Sequence, residues 1–202
     1  MAAFQLAFYV SELTGRSEGG VIDEDDAWLL RLLTPIMKLT TAKQAVAVAS
    51  EVLESFGGAG YVEDTGLPVL LRDSQVLPIW EGTTNVLALD TLRAIGSTGS
   101  IAPLISATTR LFASLHDPAL LEVARVVNAA LDHAESWLRE AQAADRSVLE
   151  AGARRFALTL GRASELALLL RQAQWSQDHE QDKRAAASAH RFAHSGIDLI
   201  TT

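Results

Sequence analysis

The chain has 202 residues and a mass of 21.7 kDa, with 49% hydrophobic and 21% charged residues. That suits one ordinary domain or two small helical ones and excludes bulk disorder. It has no cysteine, which excludes a disulfide scaffold, a thiolate zinc site and a cysteine nucleophile and fits a reducing compartment.

The net charge is −8 and the pI about 5.1, and neither half is basic: residues 1–99 balance at −7 and residues 100–202 at −1. This argues against sequence-independent nucleic-acid binding, which needs cations facing phosphates. No apolar run is long enough to span a bilayer. The N-terminal MAAFQLAFYVSELTG has no basic residue before its apolar stretch, and Glu12 lies within it, so a secretory signal is not indicated. The simplest expectation is a soluble, cytoplasmic protein.

Residues 2–15 are the first expected helix, closed by Thr14-Gly15 and Gly19-Gly20. Asp23, Glu24, Asp25 and Asp26 then place negative charge at the start of a long helical stretch, where the helix dipole favours it. Within that stretch Ala42, Val46, Ala49, Leu53 and Phe56 recur at steps of four and three, the pattern of a buried face. Pro35 is expected to kink or divide the stretch, and Gly57-Gly58 to stop it. Residues 57–85 are the least regular part, with five Gly and two Pro. A short helix is expected at 69–75, and a further one, capped by Thr83 or Thr84, runs to about Ile95. Gly96–Ser100 reads as a turn or linker. Helices are then expected at 101–116, 118–144, 147–174 and 180–201, with the last break in the polar run 174–182. There is no β-type alternation and no fixed repeat. The expectation is an all-α antiparallel helical bundle with an additional C-terminal helical bundle, divided at 1–96 and 97–202.

Only Gly57–Asn85 looks shaped for chemistry rather than packing. Glycine permits close backbone approach or positive φ. Glu81 lies between Trp80 and Gly82 at the mouth of a helix. Its bland role is capping or dipole compensation. Its sharper role is general base, with Trp80 desolvating it and nearby donors acting the other way. Elsewhere, His190 and His194 share one helical side but lack an intervening Glu, so no metal site is expected. His116, His133 and His179 have no recognisable partners, and Arg154, Arg155, Arg162 and Arg171 read as a solvated face.

The segments Gly57-Gly58 with Gly60-Tyr61, Arg72-Asp73, and Ile79-Trp80-Glu81-Gly82-Thr83-Thr84-Asn85, in that order and spacing, resemble the C-terminal helical domain of the acyl-CoA dehydrogenase family. The likeness is to the branch holding AidB-like proteins and their multi-domain animal relatives. It covers about Met1 to Gly96; residues 97–202 resemble that branch's extra helical region by position and composition.

The resemblance implies an oxidoreductase of fatty acid metabolism. A carboxylate removes the α-proton of an acyl-CoA, and the β-hydride passes to FAD. It assigns the base to Glu81 and flavin contact to Gly82, Thr83 and Asn85. It gives Gly57, Gly58 and Gly60 contact with the FAD of a neighbouring subunit, and places Trp80 near flavin or substrate. Arg72 and Asp73 read as structural. Glu54 stands where many members have Gln, so no cofactor role is carried over to it. Full members are two to three times this length and hold most of the flavin on an N-terminal helical domain and a β-barrel. This chain therefore reads as the C-terminal part, inactive alone and dependent on a homo-oligomer or a chain supplying the missing domains. The alternatives are a non-catalytic helical interaction module and an AidB-like DNA-associated flavoprotein, the latter disfavoured by charge.

Overall fold

The computed structural model describes residues 1–96 and 98–201. Among them are eight α-helices: α1 (Ala2–Glu18), α2 (Glu24–Ser55), α3 (Leu67–Ser74), α4 (Thr84–Ile95), α5 (Ala102–Phe112), α6 (Pro118–Ala143), α7 (Arg146–Glu180) and α8 (Arg184–Ala193). Short 3₁₀ turns at Gly57–Gly60 and Glu63–Thr65 join α2 to α3. The described residues contain no strand, so the fold is all-α, as the sequence pattern predicts.

The helix starts follow local chemistry. The Asp23 side chain accepts the Asp26 N–H at 2.8 Å, ahead of the acidic first turn of α2. Asp117 caps α6 through Ala119 N–H, and Asp145 caps α7 through Ser147 N–H, both at 2.8 Å. The Ala119 N–H holds the Asp117 carboxyl below its ordinary range, and the Ser147 hydroxyl, followed by its N–H, does the same for Asp145.

Several boundaries depart from expectation. Helix α1 continues through Gly15 to Glu18, and α2 passes through Pro35 without dividing. Pro35 is buried in the core, where packing on the helices around it outweighs the lost hydrogen bond. Helix α7 runs to Glu180 instead of breaking after 174. Its outlying residues keep tertiary partners, and it ends only at Gln181, whose φ of 55° is left-handed. Helices α5 and α8 are shorter than expected. The turn between α4 and α5 falls at Gly96–Ser100 as expected, with Ser97 outside the described residues.

Helix α7 is the axis of the molecule. From Thr159 to Leu170 every residue except Arg162 is buried, the pattern of a helix surrounded on all sides. Helices α1, α2, α4, α5, α6 and α8 all pack on it. One continuous core therefore runs from Ala2 and Leu6 through Leu32, Leu131 and Phe156 to Ile197, and helices from both halves of the chain share it. The approach of α7 to α2 depends on Gly161. A Cβ there would lie 2.1 Å from Thr40 Oγ1, so Gly161→Val should destabilise the chain by about 1–3 kcal/mol in chemical denaturation.

Arg162 and Arg171 do not form a solvated face. Arg162 donates to the Ser195 carbonyl at 2.8 Å and lies over the Phe192 ring, while Arg171 lies over Tyr9. The three histidines also have partners: His116 pairs with Asp178 at 3.3 Å, His133 with Asp198 at 2.5 Å, and His179 stacks on Trp175. The aspartates paired with His116 and His133 stand more than sixty residues away, beyond the reach of local pattern.

The second half of α2 and all that follows it to Leu87 are different in kind. No residue from 43 to 87 is buried. Of the five residues expected to form a buried face, only Ala42 is enclosed; Val46, Ala49 and Leu53 are half-buried and Phe56 is exposed. The apolar period is real, but nothing among the described residues covers it. Val52, Tyr61, Ile79 and Trp80 lie exposed on the same segment, and apolar residues gathered on one exposed surface mark an interaction site.

Candidate functional site

The chain doubles back after α2. From the glycine turn at its C-terminal end, α3 returns along α2, and the stretch Val76–Gly82 brings the chain to the middle of that helix. There the Lys38 ammonium donates to the carbonyl oxygens of Trp80 at 2.6 Å and Gly82 at 2.7 Å. Glu81, between them, has a φ of 53°, and Gly82 follows at 113°. Left-handed backbone at a glutamate is uncommon and marks a turn held by its surroundings. At Gly82 a Cβ would come within 3.0 Å of Leu87 Cδ2, so glycine is favoured there by φ, and a larger residue would also press on Leu87.

Thr83 is then the N-cap of α4, with extended backbone and no side-chain capping bond. The backbone N–H groups of this first turn, together with the Thr83 and Asn85 side chains, form the exposed positive end of a helix. Such an end receives anions readily. A bidentate pair between Arg31 and Asp90, at 2.8 and 3.0 Å, ties α4 to α2. Hydrogen bonding from Arg31 holds the Asp90 carboxyl below its usual range. Between the two helices lies an open groove of about 480 Å³. Its walls are Ala27, Arg31, Thr34 and Lys38 of α2, Leu87 and Asp90 of α4, and Glu81.

Glu81 is exposed, and Trp80 beside it is 56% exposed. The expected desolvation of the carboxylate by Trp80 is therefore absent within this chain, and Trp80 is not a core residue of it. Arg72 makes a loose, exposed ion pair with Glu63 at 3.9 Å, while Asp73 and Glu54 are exposed. Among the described residues no group of three or more His, Asp or Glu side chains could hold a metal.

The glycine turn lies elsewhere. At roughly 1.5 Å per residue, about 25 Å of helix axis separates Lys38 from Ser55, where α2 ends. Within one chain Glu81 and Gly57–Gly60 are thus two places rather than one. At Gly57 and Gly58 an added Cβ would meet nothing within 4 Å, so the backbone there is open to an approaching group. Gly57 also has a φ of 56°. Gly60 has a different reason: its Cβ would fall 2.1 Å from the Leu53 carbonyl oxygen. Gly60→Ala should therefore cost about 1–3 kcal/mol in thermal denaturation. Gly58→Ala should change stability by less than about 1 kcal/mol.

Sequence reasoning missed Lys38, Gln44 and Glu165. Glu165 is fully buried on α7, and its Oε2 accepts from Gln44 Nε2 at 2.7 Å while its Oε1 has no partner. Burial pushes its carboxyl up to about 7, against the opposing pull of Gln44 and Arg162. A Glu at the head of the apolar run 166–170 was the available signal.

The helical bundle, with a glycine turn at one end of a long helix and a Glu-Gly-Thr turn against its middle, resembles known acyl-CoA dehydrogenase domains in sequence and in fold. Residues 20–96 match the family model described as "Acyl-CoA dehydrogenase, C-terminal domain", and residues 105–200 match that of the "Acyl-CoA dehydrogenase 11 C-terminal domain-like" family.

The chain is 40% identical over 191 residues to acyl-CoA dehydrogenase family member 11 of Caenorhabditis elegans, covering 90% of this chain and 29% of that protein. The crystal structure of Caenorhabditis elegans ACDH-11 in complex with C11-CoA superposes with a TM-score of 0.89 at 36% identity, covering 100% of this chain and 34% of that one. The putative acyl-CoA dehydrogenase AidB of Escherichia coli K12 is 37% identical over 84 residues, covering 42% of this chain and 16% of that protein. Both halves of the chain thus resemble the C-terminal part of acyl-CoA dehydrogenases, a family whose members use FAD. Its likeness to the nematode protein runs through both halves, whereas AidB matches less than half of it. The chain spans between 16% and 34% of the length of these relatives.

Proposed function

We propose that this chain forms the C-terminal helical part of an FAD-dependent acyl-CoA dehydrogenase, and that Glu81 is the general base removing the α-proton of the acyl thioester. The observation that supports this best is the Glu81 turn itself: a carboxylate held in left-handed backbone by two hydrogen bonds from Lys38, at the mouth of α4. A capping glutamate needs neither.

The residues fit the cofactor. Gly82, Thr83 and Asn85 present bare backbone, a free hydroxyl and an amide at a helix N-terminus, which suits the anionic part of a flavin nucleotide. Gly57 and Gly58 offer open backbone about 25 Å away along α2, a distance that favours contact with a second flavin, held by another subunit. Gly60 serves the turn rather than a ligand. When bound, FAD supplies the acceptor for the β-hydride. The chain's own part is to hold Glu81 beside the α-carbon, take the proton on its carboxylate and orient the thioester with Trp80.

The exposed apolar surface from residue 43 to 87 is the complement of this reading. A base open to water is a weak one. Covering Glu81 and Trp80 requires polypeptide outside these 202 residues, from the same chain or from other subunits, and the surface supports association with such a partner. The acyl-CoA is thus shared between this chain and its cover.

The test is a flavin spectrum of the assembled protein before and after addition of medium-chain and long-chain acyl-CoA. Retained flavin that bleaches on substrate addition is expected. Flavin that stays oxidised with every acyl-CoA tried would refute the dehydrogenase reading and leave a helical interaction module. In the same assembly Gly58→Val should lower flavin retention severalfold by closing the open backbone. Unchanged retention would remove the glycine turn from the cofactor site.

A further inference from the structure

We infer that Lys38 is a positioning residue for Glu81, fixing the peptide units on either side of the carboxylate and so deciding where the proton acceptor stands. The inference rests on the reading of Glu81 as the base. The Lys38 Nζ donates to the Trp80 and Gly82 carbonyls at 2.6 and 2.7 Å. These two carbonyls bracket Glu81, and both bonds are charge-assisted. The backbone they enclose has a φ of 53° at Glu81, a conformation that a residue with a Cβ leaves unless it is held.

The two ends of this clasp differ in rigidity. Lys38 stands on α2 among Ile36, Leu39 and Thr40, all buried, so its own backbone is fixed by the core. The turn it grips has no buried residue and no other side-chain hydrogen bond among those described. On its α2 side the position of Glu81 is therefore referred to the core through one side chain. The same ammonium lines the groove that Glu81 enters, together with Arg31 and Asp90, which are paired with each other. Placement of a base within a few tenths of an ångström is what proton transfer from carbon demands, and a misplacement near 1 Å has a large effect on rate.

The experiment compares Lys38→Met and Lys38→Arg in the assembled flavoprotein. Lys38→Met should lower kcat roughly 100-fold, with KM changed by less than about threefold because substrate binding is left in place. Flavin absorbance per chain should stay at the parent value. Lys38→Arg, whose forked donors can reach both carbonyls, should recover most of the loss. An unchanged kcat in Lys38→Met, or no recovery in Lys38→Arg, overturns the inference.

Glu81→Gln is run beside them. Full turnover in that variant overturns the base assignment and, with it, the catalytic meaning of Lys38. The clasp is read separately, without cofactor, in the 202-residue chain. Glu81→Gly should raise the melting temperature when Lys38 is present, since glycine takes the left-handed backbone freely. It should lose that gain in the Lys38→Met background, where nothing holds the turn. Equal shifts in both backgrounds overturn the clasp, whatever Glu81 does in catalysis.

Discussion

Glu81→Gln should reduce turnover of the assembled flavoprotein roughly 10²–10⁴-fold, the usual contribution of a positioned general base. The substitution keeps the shape of the side chain and removes only its ability to take a proton. Folding should be nearly unaffected, because Glu81 is exposed and the contacts that hold its turn are made by backbone carbonyls rather than by its carboxylate. Substrate affinity should change little, since the lost interaction belongs to the transition state. Stopped-flow bleaching of the flavin measures the step directly. Glu81→Ala is the poorer probe: the space it leaves admits water, which can act as a weak substitute base. If the bleaching rate of Glu81→Gln matched the parent, the base would have to be sought elsewhere.

Glu165 governs the second large effect. Its carboxyl is raised to about 7 in the folded chain by burial, against an ordinary value near 4.5 when unfolded. The folded state therefore holds a proton that the unfolded state has released between these two values. The sign follows: stability from this group is complete below about pH 4.5, falls as pH rises toward 7 and levels off above it. The full loss is about 3 kcal/mol, at about 1.4 kcal/mol per pKa unit. Glu165→Gln keeps the volume and can still accept from Gln44, but carries no charge. It should flatten the pH dependence across that window and leave the variant more stable than the parent at pH 8. Urea denaturation of both proteins at pH 5 and pH 8 isolates this one group, because other titrations are common to the pair. Parallel pH profiles would show that Glu165 keeps its ordinary acidity in the core.

The candidate site stands out in the sequence for a reason that does not depend on the fold. Gly57, Gly58, Trp80, Glu81, Gly82, Thr83 and Asn85 stand close together in sequence, and the order of their short motifs carries the resemblance. Closeness in sequence is not closeness in space here. The glycine turn and the Glu-Gly-Thr turn, only some twenty residues apart, lie at the end and the middle of α2. The chain between them lies along the helix instead of closing into one pocket. Lys38 stayed hidden because its partners stand 42 and 44 residues further on, and its spacing within α2 gives no sign of them.

Helix content, most helix starts and the polar breaks follow from what neighbouring residues do to one another. An aspartate caps the next turn, a glycine ends one, and apolar residues recur at the helical period. These are interactions within a few residues, so the linear order contains them. What covers an apolar face is another matter. The period from Ala42 to Phe56 is as regular as that of any core helix, yet only Ala42 is enclosed. Helix α7 carries Arg162, Glu165 and Gln174 among six other helices, and past 174 it keeps partners such as His116 for Asp178. Burial, the partners of His116 and His133, the raised carboxyl of Glu165 and the clasp of Lys38 on Glu81 all arise between residues far apart in the chain. Desolvation and distance in space, which only the tertiary structure supplies, decide each of them.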